Sequence, residues 1–135
     1  MTRRESREQA FILLFEKTFQ QEVSMDELIN SSIENGYIKD DEFANRLAAL
    51  SWEKHAVIDE IISKFLTTGW KLNRLSRVCI SILRLAVCEL MYYDDIPVKV
   101  SINEAVELCK VYASDDERVF VNGILRSVAE TVQKG

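Results

Sequence analysis

The residues best suited to chemistry near the N-terminus are three arginines, Arg3, Arg4 and Arg7. Guanidinium groups bind phosphate oxygens through charge-assisted hydrogen bonds, so this cluster could hold a nucleic-acid backbone. Such cations also oppose the macrodipole of a helix that begins at this point. Glu5 and Glu8 reduce the local charge to about +1, and charge alone therefore favours an exposed turn of mixed charge over a phosphate site.

A second asymmetry of charge lies in the middle of the chain, where no Asp or Glu occurs from residue 61 to residue 88. The cations of this stretch are Lys64, Lys71, Arg74, Arg77 and Arg84. In a chain of net charge −5, these cations fit either a strip that faces RNA or an acidic partner, or ion pairs with neighbouring helices. Arg84 lies midway along an apolar helix, where a structural ion pair is expected, with Glu104 as the candidate partner.

The side chains required for nucleophilic or metal chemistry are few and poorly spaced. One histidine, His55, would have to serve any catalytic arrangement, and nothing marks a nucleophile near it. The three cysteines lack a Cys-x-x-Cys spacing and occur in apolar stretches, so we expect buried, reduced thiols at Cys79, Cys88 and Cys109. Four scattered glycines cannot form a phosphate-binding loop. The sequence therefore predicts no catalytic site, no metal and no cofactor.

The elements that must position these residues are helices almost throughout, because apolar residues recur with a helical period. The composition, 47% hydrophobic with 4 Gly and 1 Pro, disfavours a β-sandwich or barrel. No stretch is long and apolar enough for a membrane span, and the charged N-terminus does not resemble a signal peptide, so we expect a cytoplasmic protein. The prediction is a single all-α domain over residues 1–135, a compact bundle of six to seven helices.

The helix boundaries are predicted from capping residues, with capping-box pairs at Ser24 with Glu27 and at Ser101 with Glu104. The expected ends lie near Gln21, Asn35-Gly36, Thr67 to Gly69, and Tyr93, with a possible break near Ser51-Trp52. The expected N-caps are Thr2, Ser24, Asp40 or Asp41, Asn73, Ser101, and Asp115 or Asp116.

Phe120 lies on the shoulder of the apolar stripe of the last helix, roughly 100° from its centre. An aromatic ring in this position either stacks on an unpaired base or covers the edge of the core. Arg118 and Lys110 are nearby in sequence and favour stacking.

Four blocks of the chain resemble the NusB family: RRESREQAFILLF (3–15), ILRLAVCEL (82–90), IPVKVSINEAVELCK (96–110) and FVNGIL (120–125). The middle of the chain matches only in helical character. The resemblance implies an all-α fold of two packed helical sub-bundles, without catalysis or cofactor. It also implies a factor that binds the boxA element of nascent ribosomal RNA together with the ribosomal protein NusE, and that helps to assemble an antitermination complex on RNA polymerase.

The resemblance also implies roles for individual residues. Asp116 matches a position that modulates RNA affinity, and Lys99 and Lys110 match basic positions of the family motifs. The implied RNA contacts are Arg3, Arg4, Arg7 and Phe120. The motif residues implied to be mainly architectural are Arg84, Glu89, Asn103, Glu104, Asn122 and Gly123.

Three positions at the implied NusE interface depart from the family pattern. Phe15 stands where many relatives have Tyr, Cys79 where an acidic residue is common, and Ile80 where a basic one is. A salt bridge expected with NusE is thereby lost. The Cys79-Ile80 patch is expected either to be buried or to support a homodimer.

Two other functions are compatible with the sequence. The acidic net charge and the altered Cys79-Ile80 patch fit a protein-binding helical module without specific RNA recognition. NusB-like domains also occur fused to ribosomal RNA methyltransferases, and the chain would then be the RNA-guiding part of a modifying enzyme.

Overall fold

The computed structural model describes residues 1–66, 74–132 and 134, and every regular element within these ranges is helical. The all-α prediction is confirmed, and the seven α-helices of these ranges match the upper figure of six to seven helices. No helix in the described ranges is long and apolar enough to cross a membrane. The helices are α1 (Arg3–Lys17), α2 (Met25–Glu34), α3 (Glu42–Glu53), α4 (His55–Lys64), α5 (Arg77–Tyr92), α6 (Val98–Tyr112) and α7 (Asp115–Glu130).

The first three helices begin at predicted N-caps. Thr2 forms a capping box with Glu5: its hydroxyl accepts the Glu5 N–H at 3.1 Å, and the Glu5 carboxylate accepts the Thr2 N–H at 2.8 Å. Ser24 caps α2, and Asp41 caps α3 by accepting the N–H of Ala44 at 2.9 Å. The possible break in the long helical stretch is present between α3 and α4, but it falls at Lys54.

Three predicted starts were wrong, and α1 ends earlier than expected. Ser76 caps α5, whereas Asn73 and Gly69 lie outside the described residues. The next helix begins right after Pro97, whose fixed φ suits the entry to a helix, so Ser101 lies inside α6. Ser114 caps α7 because Glu117 stands three residues later and completes a capping box.

The central helix is α5, as its broad apolar surface predicted. Eleven of its sixteen residues are buried, and it packs against α1, α3, α4, α6 and α7. Helices α1 to α3 form one sub-bundle and α4 to α7 the other, joined by one hydrophobic core. This arrangement sets α1 between α3, α5 and α6, and thereby decides which of its arginines reach solvent.

Candidate functional site

The N-terminal arginines stand on the first two turns of α1, where they point in different directions. Arg3 and Arg4 are exposed, whereas Arg7 is 5% exposed. Arg7 precedes Phe11 and Leu14 at the i, i+4, i+7 spacing of the buried stripe, so it faces the core like them.

Arg7 is held in a buried ion pair with Glu89 of α5. Its Nε and Nη2 donate to the two Glu89 carboxylate oxygens at 2.9 and 3.1 Å. The Ser101 hydroxyl of α6 donates to the same carboxylate at 2.9 Å, and Glu104 lies 3.7 Å from Arg7 Nη1. Arg7 therefore joins α1, α5 and α6, and little of it remains for a ligand.

Arg4 forms an ion pair at the surface with the outer side of the same cluster. Its Nη2 and Nε donate to the Glu104 carboxylate at 2.9 and 3.3 Å, and its side chain is 67% exposed. The hydrogen bonds and charge of Glu104 raise the pKa of Arg4 above its ordinary value. A phosphate bound by Arg4 would share the guanidinium with this carboxylate.

Arg3 makes no ion pair within the described ranges and instead stacks on an aromatic ring. Its guanidinium carbon lies 4.0 Å from the centroid of the Phe43 ring of α3. Stacking leaves the N–H groups in the guanidinium plane available to a ligand.

The predicted site residues on α7 lie one helical turn apart. Asp116 is exposed in the first turn, and Phe120 is half-buried against the core. Glu117 fixes this end of α7, because its carboxylate accepts hydrogen bonds from Ser114 and from the Ser76 hydroxyl at the start of α5. These hydrogen bonds lower the pKa of Glu117, and the bond from Ser76 has the largest effect.

The two predicted lysines, Lys99 and Lys110, are exposed on α6. Lys110 follows Lys99 by eleven positions, which is close to three helical turns. The two lysines therefore lie on one face of the helix, about 16 Å apart along its axis. Lys110 forms an exposed ion pair with Glu107 at 3.2 Å.

The predicted RNA-binding residues are thus spread along the molecule. The arginine end of α1 packs near the C-terminal half of α5 through Glu89, whereas α7 begins beside Ser76 at the start of α5. A helix of sixteen residues is about 24 Å long, so the Arg3–Arg4 end and the Asp116–Phe120 end lie roughly 20 Å apart. Only an extended ligand of several nucleotides could contact both.

Of the residues predicted at the protein interface, Phe15 lies near the C-terminal end of α1, and Cys79 and Ile80 lie in the first turn of α5. Cys79 and Ile80 are 1% and 7% exposed, so of the two alternatives for this patch the structure shows burial. Burial raises the pKa of the Cys79 thiol to about 12. Phe15 is half-buried, and its ring lies edge-on to that of Phe19 at 5.1 Å.

This surface is completed by Phe19, which the sequence analysis did not single out, and by Arg77, a cation of the stretch without Asp or Glu. Phe19 is 58% exposed, and the guanidinium carbon of Arg77 lies 4.2 Å from its ring centroid. The spacing in the sequence could have marked Phe19, because it stands eight residues after Phe11 and four after Phe15, on the same face of a helix. We call Phe15, Phe19 and Arg77 the aromatic–arginine patch.

The expected partner of Arg84 was wrong. Arg84 donates from Nε and Nη2 to the Asp59 carboxylate of α4 at 2.8 and 2.7 Å. Glu104 is instead engaged by Arg4 and Arg7. Of the basic stretch, Arg84 is therefore ion-paired and Arg77 stacked on an aromatic ring, while Lys71 lies outside the described residues.

A model of the NusB family matches residues 4–130 of the chain. The transcription antitermination protein NusB of Ruminiclostridium cellulolyticum is 44% identical over 132 residues, which cover 96% of this chain and 90% of that protein. The solved structure of T. maritima NusB is 37% identical, with a TM-score of 0.86 and coverage of 96% of this chain and 92% of that chain. A chain in the crystal structure of antitermination factors NusB and NusE in complex with dsRNA is 29% identical, with a TM-score of 0.83 and coverage of 96% of both chains.

Proposed function

Because this chain belongs to the NusB family, we propose that it is a transcription antitermination factor. It binds the boxA element of nascent ribosomal transcripts together with the ribosomal protein NusE, and it helps to assemble an antitermination complex on RNA polymerase. The observation that carries this proposal is the likeness, over 96% of the chain, to a chain crystallised in a complex of NusB, NusE and dsRNA.

At the N-terminal end of α1, RNA binds through the exposed arginines. Arg3 contributes a guanidinium that forms no ion pair with any described residue, and Arg4 contributes one that donates hydrogen bonds to Glu104. Arg7 acts from beneath the surface: its ion pair with Glu89 fixes α1 against α5 and so orients the turn that carries the other two. Of the three arginines, Arg7 is therefore a positioning residue.

At the far end, RNA meets α6 and α7. The accessible part of the Phe120 ring offers a stacking surface for an unpaired base, and Lys110 supplies a cation near the end of the neighbouring helix α6. Lys99, about three turns earlier on the same face of α6, supplies a cation toward the arginine end, where Ser101 contacts Glu89. Asp116, one turn before Phe120, places a negative charge beside the bound RNA strand. Repulsion between this carboxylate and phosphate limits affinity, which accounts for a modulating role at this position.

NusE binds at the aromatic–arginine patch. Phe15 and Phe19 supply aromatic surface, and Arg77 supplies a cation for a carboxylate of the partner. Cys79 and Ile80 are buried in the first turn of α5, the turn that carries Arg77, and so support it from the core. The contact thus relies on stacking and a single cation, without the salt bridge expected at position 79.

We take the chain to act by binding alone, without catalysis, as one domain in the cytoplasm, where transcribing RNA polymerase is found. Its family relatives carry the name of an antitermination protein, which supports this assignment. Methyl transfer to ribosomal RNA by the purified chain would overturn it.

The test is a titration of labelled RNA that contains boxA against the same RNA with boxA scrambled, each with and without purified NusE, at two salt concentrations. We expect the chain to prefer boxA and NusE to tighten that preference, since both proteins contact the RNA. Arg3→Ala and Arg4→Ala should weaken binding and reduce its dependence on salt. Equal affinity for both RNAs, with and without NusE, would instead support the protein-binding module, which the net charge of −5 favours.

A further inference from the structure

A pocket of about 330 Å³ lies beside Arg3, between the start of α1, the start of α3 and the end of α5. None of the four family-like sequence blocks includes the α3 residues of this pocket. The pocket is lined by Arg3, Asp41, Glu42, Phe43, Arg46 and Tyr93.

In the pocket, an arginine guanidinium group lies near each of two aromatic rings. The rings of Phe43 and Tyr93 meet edge-on, with centroids 5.9 Å apart. Arg3 stacks on Phe43 at 4.0 Å, and Arg46 lies 5.8 Å from the centroid of Tyr93. The rings hold the cations in place through their faces, and the N–H donors remain free in the guanidinium planes.

Neither of these guanidinium groups makes an ion pair within 4.0 Å in the described part of the chain, in contrast to Arg4 and Arg7. The nearby Asp41 carboxylate is engaged as the cap of α3, where the N–H of Ala44 holds it and lowers its pKa. A phosphate entering between Arg3 and Arg46 would therefore displace no existing ion pair.

The Tyr93 hydroxyl is a third polar group of the same pocket without a partner. Tyr93 is 9% exposed, and its buried Oη has no hydrogen-bond partner among the described residues. A buried hydroxyl that lacks a partner costs free energy, and a phosphate oxygen that reached it after a small movement of the pocket wall would recover that cost.

We propose that this pocket, which we call the α3 subsite, binds a phosphate group of the RNA strand. Arg3 of α1 and Arg46 of α3 donate hydrogen bonds to the phosphate, and Tyr93 donates a hydrogen bond from the pocket wall. The inference rests on the proposed function, because it extends the RNA contact from the start of α1 onto α3. It assigns RNA-binding roles to Arg46 and Tyr93, and it gives Phe43 the role of positioning Arg3.

The test compares Arg46→Ala with Arg126→Ala. The second variant is a matched control, because it removes one exposed cation of α7 that does not line the pocket. Both variants lower the net charge equally, so long-range electrostatics change alike in both. Affinity for the boxA RNA is measured at several salt concentrations, and the fold is checked by circular dichroism.

We expect Arg46→Ala to weaken binding about tenfold, the loss of one hydrogen-bonded contact to a charged group. The slope of log affinity against log salt should fall by about 0.7, as one phosphate contact on a single strand predicts. Arg46→Lys, which keeps the charge but loses the planar fork, should recover the slope but only part of the affinity. Tyr93→Phe should weaken binding and leave the slope unchanged, since it removes no charge.

The proposal is overturned if the wild-type protein selects boxA but Arg46→Ala binds with the same affinity and salt slope as Arg126→Ala. If Tyr93→Phe binds like the wild type, the hydroxyl has no part in the subsite. Failure of the proposed function gives a different result, in which the wild-type protein itself does not distinguish boxA from the scrambled RNA.

Discussion

Replacing Arg7 with alanine removes the cation of the buried pair that joins α1 to α5. The side chains of Arg7 and Glu89 are 6% and 2% exposed, and they share two hydrogen bonds. The variant leaves the Glu89 carboxylate buried with only the Ser101 hydroxyl as a side-chain donor. Removing one partner of a buried ion pair costs about 3–5 kcal/mol, so the free energy of unfolding should fall by that amount.

Urea unfolding followed by circular dichroism measures this loss. With a slope of about 2 kcal/mol per molar urea, the midpoint should fall by about 1.5–2.5 M. Arg4→Ala is the matched control, because Arg4 also pairs with this carboxylate cluster but is 67% exposed. Arg4→Ala should lose only a small fraction of the stability that Arg7→Ala loses, because solvent screens an exposed ion pair. Equal, small losses in both variants would refute a structural role for Arg7 and return it to the RNA-binding surface.

Three further predictions concern other parts of the fold. Hydrogen bonds from Ser76 and Ser114 lower the pKa of Glu117 in the folded state, so they stabilise the protein above the ordinary pKa of 4.5, and this contribution is lost as pH falls through the folded value. Urea unfolding between about pH 5 and pH 3 should therefore show a smaller loss of unfolding free energy for Glu117→Gln than for the wild type. Equal losses in the two proteins would argue against the hydrogen bonds from Ser76 and Ser114 to the Glu117 carboxylate. Burial keeps the pKa of Cys79 at about 12 and those of the other two cysteines at about 11, so iodoacetamide at pH 8 should label all three only after denaturation; labelling of the native protein would contradict their burial. Gly36 has a φ of +74° at the end of α2, so Gly36→Ala should lower the unfolding free energy by about 1 kcal/mol, and no loss would show that the turn relaxes.

Much of the fold was predictable because local patterns decide it. The nearly continuous apolar surface of residues 78–91 predicted a central helix, and α5 occupies that place. Thr2, Ser24 and Asp41 cap their helices through contacts within three residues, which a sequence shows directly. The start of α6 was misplaced because Ser101 and Glu104 have the spacing of a capping box. In the fold, Ser101 instead donates to Glu89, and Glu104 pairs with Arg7.

The site was less predictable because ion pairs join residues far apart in the chain. Arg7 and Glu89 are 82 positions apart, and Arg84 and Asp59 are 25 apart, so no local pattern marks either pair. One signal was available for Arg7, since it stands in line with the buried stripe of α1. For Arg46 there was none: it lies on a helix that resembles the family only in helical character, and its pocket exists only where three helices meet.

The most direct test of the central claim is transcription through a terminator in vitro. RNA polymerase, NusE and the other antitermination components elongate across a template that carries either an intact or a scrambled boxA, with and without this chain. If the chain is a NusB-type antitermination factor, it should increase readthrough on the intact boxA template only, and only when NusE is present. Readthrough that is the same on both templates, or that does not depend on the chain, would contradict the account.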